Sequence, residues 1–143
     1  MKHIGFYGGS SIVELGSSAD MAEFFNLLNQ CVEDIEGKKL LSQFYLRYLP
    51  FEDLNNMLSL IKDQDNFSGN LLQKFQKYFE GLEHCIISAK GFYEDFGTYS
   101  PVKVIVTDIP YCITEIDRSL EEYDSLGENE LPFWLRYENK SAI

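Results

Sequence analysis

The chain reads as an α/β protein, with α+β as the close alternative. The expected architecture is one domain in which a mixed β-sheet packs with about four helices, in the order β-β-α-β-α-α-β-α-β. Three observations carry that expectation. At 143 residues the chain suits a single domain that buries roughly 70% of its unfolded surface. Hydrophobic residues make up 45% and aromatics 15%, enough to form a core despite a high charge. Segments with a two-residue apolar period also alternate with segments at helical spacing, the pattern of a sheet covered by helices. Residues 1–143 are therefore read as one domain, with 139–143 fraying at its end.

The first elements are two short β-prone runs, residues 3–7 and 11–15, around Gly8-Gly9-Ser10. Glycine supplies the positive φ of a tight hairpin turn, although Gly5 weakens the first strand. Ser17 with Asp20 approximates a capping box. Met21, Phe24, Phe25, Leu28, Cys31, Val32 and Ile35 follow at helical spacing, and Gly37 reads as the helix stop. From Leu41 to Leu49 the alternation of Phe44, Leu46 and Tyr48 with Tyr45, Arg47 and Leu49 predicts a strand. Pro50 ends it and fits the first turn of the next helix, whose inner face is Leu54, Met57, Leu58 and Ile61.

After a polar loop at Asp63–Asn66, one helix is expected from about Asn70 to Ala89. Its stripe runs from Leu71 through Phe75, Phe79 and Leu82 to Ile86, and Gly81 in its middle suits close packing. Gly91–Ser100 reads as an aromatic-rich loop. The strongest strand signal is Pro101–Asp108, nearly all β-branched and apolar on both faces as a central strand is. Asp108 then caps a helix, with Pro110 in its first turn, that runs to about Leu126 and stops at Gly127. Pro132–Tyr137 supplies the last strand.

The charge is strongly one-sided, a net −11. Between Asp108 and Glu138 nine acidic residues face only Arg118 and Arg136. These acids are interleaved with Ile113, Ile116, Leu120 and Tyr123 at helical spacing, which makes the segment a folded anionic surface and not a tail. Such a surface repels nucleic acid and anionic membrane and attracts basic partners. The expected partner-binding residues are Asp117, Glu121, Glu122, Tyr123, Asp124, Glu128, Glu130 and Trp134. The carboxylates would meet lysine and arginine, while Tyr123 or Trp134 anchors the contact. The competing reading is a solvated face that serves solubility, with Trp134 in the core.

Catalytic and metal signals are sparse. His84 lies between Glu83 and Cys85, but adjacent helical residues point in different directions, so no Cys–His dyad follows. No cysteine pair has zinc spacing and no HxxxH occurs. Asp63, Asp65 and Asn66 begin like a calcium loop, but Lys74 stands where the bidentate glutamate belongs. Gly8-Gly9-Ser10 lacks the lysine and the spacing of a phosphate loop. We expect no enzyme activity, no cofactor and no metal. Cys31, Cys85 and Cys112, odd in number and far apart, fit a reducing compartment. With no signal-like amino terminus and no apolar run near the ~20 residues of a membrane span, the expected location is the cytoplasm.

The opening HIGFYGGSSIVELGS and the closing VTDIPYCITEIDRSLEEYDSLGENELPFWLRY, about a third of the chain, resemble the small acidic immunity proteins of bacterial contact-dependent growth inhibition systems. That resemblance implies neutralisation of a cognate toxin domain, often a nuclease, inside the producing cell. It carries no residue across position by position. The partner would be a basic toxin domain, with no direct contact to nucleic acid or membrane. An acidic adaptor for another basic protein is the first alternative. A small enzyme with a site near Asp108 and the Gly8-Gly9 turn is the second.

Overall fold

The computed structural model describes residues 3–63, 65 and 67–107. The helix expected from Asp108, the strand Pro132–Tyr137 and the terminal residues 139–143 lie outside them. Among the described residues the chain forms β1 (His3–Gly8), β2 (Ser11–Gly16), α1 (Ser18–Cys31), α2 (Ile35–Leu46), α3 (Leu54–Lys62), α4 (Gly69–Lys74), α5 (Gln76–Phe96) and β3 (Lys103–Thr107). A short 3-10 turn, Phe51–Asp53, precedes α3. The fold is a mixed α and β domain.

The three described strands form an antiparallel sheet in the order β2-β1-β3. The predicted hairpin is present, with Gly9 at φ 61 in its two-residue turn. Gly5 has a specific role. The register shifts between Ile4 and Gly5, and a side chain at Gly5 would collide with the Val13 carbonyl. Glycine therefore permits a bulge where the two backbones close up. In β3, Val104, Ile105 and Val106 are all buried, as the β-branched run implies.

The sheet and helices share one core. Phe6 of β1 packs against Phe24 of α1, Phe44 of α2 and Tyr78 of α5, with ring centroids 6.3, 5.6 and 6.5 Å apart. Ser17 caps α1 as predicted, its Oγ accepting from the Asp20 amide at 3.1 Å.

Four sequence expectations are corrected. The helix opened by Ser17 ends at Cys31, not at Gly37, because the Asp34 carboxylate accepts from the Glu36 amide at 3.1 Å and starts a new helix. Gly37 is buried inside α2, where an added Cβ would lie 2.6 Å from Val32 Cγ1, so it allows close packing and does not stop the helix.

The strand expected at Leu41–Leu49 is helical as far as Leu46. Gly37, Leu41 and Phe44 form a buried face at helical spacing, and Phe25 receives both Phe44 and Tyr45, each with centroids 5.2 Å away. Extended pairing survives only at Leu49, which bridges Val102 through a 2.8 Å hydrogen bond.

The helix expected over Asn70–Ala89 is broken at Phe75, which has φ −113 and ψ 26. Its buried ring packs against both Phe24 and Tyr78, at 5.4 and 4.9 Å. Finally, the loop expected from Gly91 is helix as far as Phe96. Gly97, at φ 71, closes it by donating its amide to the Tyr93 carbonyl at 2.8 Å.

Candidate functional site

The residues expected to bind a partner, Asp117, Glu121, Glu122, Tyr123, Asp124, Glu128, Glu130 and Trp134, all lie outside the described residues. Within the described residues a second concentration of acids takes shape where the α1–α2 junction faces α3 and the segment after it.

That junction borders an open groove of about 930 Å³ lined by Glu33, Asp34, Glu36, Asp53, Asp63 and Asp65. Its floor is apolar, formed by Val32, Leu40, Leu60 and Phe67. Each acid is placed by local structure. Asp34 is the N-cap of α2, Glu36 lies in its first turn, and Asp53 immediately precedes α3. Carboxylates at helix starts are favoured by the unpaired amides and dipole there. Asp63 follows the last residue of α3.

Three lysines close by in sequence engage the groove weakly or turn elsewhere. Lys62 turns away to Glu83 of α5 at 3.2 Å, and Lys38 donates to the Asn29 carbonyl at 2.7 Å. Lys39 reaches Glu36 only at 3.9 Å, with both side chains more than 70% exposed, a geometry in which pairing is weak. Beside the groove Ile35 is 69% exposed. Among the described residues no three His, Cys, Asp or Glu side chains converge to hold a metal ion. The geometry suits a basic and partly apolar surface. Sequence reading missed it because its carboxylates come from three separate segments; the available signal was the acid-rich start of α2.

The glycine-serine turn also acquires a role. A Cβ at Gly8 would fall 2.7 Å from the Cys85 carbonyl, and one at Gly9 would collide with that of Ser88. The Ser10 amide donates to Ser88 Oγ at 3.2 Å. Ser11 Oγ lies 3.0 Å from Ser88 Oγ and 3.1 Å from His84 Nε2. The turn is thus clasped onto α5 by backbone approach and by hydrogen bonds to Ser88. No local pattern brings His84 to a hydroxyl; the fold does so across 73 positions. If Ser11 donates to Ser88, it accepts from His84, so the hydrogen-bond chain runs from imidazole to helix.

Comparison with family models, curated proteins and solved structures found no match. Among the described residues no helix is long and apolar enough to cross a membrane.

Proposed function

We propose that this chain is an immunity protein: it binds a basic cytotoxic domain of the nuclease class and neutralises it in the cytoplasm of the producing cell. The observation that carries the reading is the net charge of −11, concentrated on the segment 108–138 and around the acidic groove. A nuclease holds a cationic substrate cleft, and complementary fields accelerate encounter while well-paired charges add affinity. The groove supports the reading by setting carboxylates around an apolar floor, a combination that gives both steering and contact area.

The test is co-expression with the toxin domain encoded immediately upstream. Growth should be rescued, and rescue should weaken when Glu121 and Glu122 are changed together to lysine. Unchanged affinity of that variant in a titration would remove the 108–138 segment from the interface. Failure of the intact chain to protect against the toxin would refute the immunity reading and leave an acidic adaptor as the better account.

A further inference from the structure

The apolar stripe of α5 does not end where the body of the protein ends. Leu82, Cys85, Ile86 and Ala89 are buried, and Phe92, Tyr93 and Phe96 continue the same spacing. Yet Tyr93 is 42% and Phe96 69% exposed. Phe51, itself 41% exposed, lies against Tyr93 with centroids 4.5 Å apart, and Phe92 stacks on Phe96 at 4.7 Å. The last turns of α5 and the 3-10 turn before α3 thus share an open aromatic shelf.

Carboxylates lie beside it. Glu52 and Asp53 follow Phe51; burial is the main cause that raises the pKa of Tyr99, whose ring lies 5.4 Å from that of Phe51, and the negative charges of Glu52 and Asp53 add to it. Glu94 and Asp95, both exposed, share the last turns of α5 with Tyr93 and Phe96 and point to its other faces, adding to the negative field there. The nearby cation Lys90 is held by Asn55 at 2.7 Å. Aromatic faces in a negative field recognise cations, and a guanidinium stacks on a ring more readily than a strongly hydrated ammonium does.

We propose that this shelf receives an arginine side chain of a basic partner protein. The proposal rests on the basic-partner reading above and names a surface for it. Charge selects the occupant: a second copy would bring another −11, and nucleic acid or anionic lipid would be repelled in the same way.

The test uses the intact, isotopically labelled chain titrated with nona-arginine and with nona-lysine at physiological ionic strength, followed by amide NMR. Shifts should cluster at residues 51–52 and 92–96, with tighter binding of the arginine peptide. Replacing Tyr93 and Phe96 together by alanine, with helix content checked by circular dichroism, should weaken nona-arginine about fivefold and abolish the preference over lysine. A second variant, Glu94→Gln with Asp95→Asn, keeps the rings and should lower the salt dependence of binding.

Equal affinity for both peptides, or shifts confined to residues 33–36 and 63–65, would overturn the shelf while leaving a basic partner in place. Concentration-dependent self-association that is lost in the alanine variant would overturn it in favour of a second copy. Absence of binding by either peptide even at low salt would overturn both the shelf and the basic-partner reading.

Discussion

Gly81 and Gly91 lie on the same helix, α5, and alanine should affect them in opposite directions. Alanine in place of glycine inside a helix contributes about 0.5–1 kcal/mol through backbone entropy. At Gly91 an added Cβ meets nothing within 4 Å, so Gly91→Ala should gain nearly all of that. At Gly81 the new Cβ would lie 2.8 Å from Val13 Cγ1 and 3.4 Å from Val13 Cβ.

Val13 is β-branched and stiff at χ1, so it yields only by shifting β2. Overpacking of this kind costs about 1–3 kcal/mol, which exceeds the helix gain. The two substitutions should therefore differ by about 2 kcal/mol. Urea unfolding followed by far-UV circular dichroism measures the difference directly. Adding Val13→Ala to Gly81→Ala should recover part of the loss, a coupling expected only of touching residues. If Gly81→Ala stabilises as much as Gly91→Ala, β2 is not seated on α5 and the packing argument fails.

Other outcomes follow from single groups. The Ser18 hydroxyl is buried without a hydrogen-bond partner, so Ser18→Ala should leave stability unchanged or raise it by up to about 1 kcal/mol in the same unfolding assay. Ser88→Ala removes the acceptor for the Ser10 amide and for Ser11 Oγ. It should cost about 1 kcal/mol, with faster amide exchange at the hairpin turn. Burial pushes the Cys85 thiol up to about 12 from 9.0. Burial, helped by the charge of Asp20, pushes Tyr78 up to about 12 from 10.0. Each group holds its proton longer when folded, so this stabilisation is complete below the unfolded values and is lost as pH rises toward about 12. Urea midpoints that fall between pH 8.5 and 11, values on the order of those set by the reference thiol and phenol, would agree; a flat profile would not. Alkylation of the folded protein should likewise reach half-buried Cys31 before fully buried Cys85.

The sequence made legible those elements whose boundaries are set locally. Ser17 announces α1 because a hydroxyl at that position accepts an amide whatever the rest of the chain does, and the glycine turn announces the hairpin for a similar reason. The strand expected at Leu41–Leu49 failed because a short apolar run fits either period, and the choice was made by distant Phe25. Phe75 broke a continuous stripe because its ring is held by Phe24, on another helix. The acidic groove was hidden for the same reason, since no local window joins Asp34 to Asp53 and Asp65. The aromatic run at 91–100 was visible, but its helical state depended on Gly97 being recognised as a cap.

The sheet order has a consequence for synthesis. β1 lies between β2 and β3, and His3 pairs with Thr107. Residues 3–8 therefore leave the ribosome about a hundred residues before the strand that flanks them, and closing so long a loop is entropically slow. Ile4 and Phe6, fully buried in the finished fold, stay uncovered on that side throughout the interval. The hairpin clasp onto α5 can form sooner, because α5 is made before β3. Pairing of β3 with β1 is thus a late event among the described elements, and this edge of β1 is most open to misassociation before residue 103 is delivered.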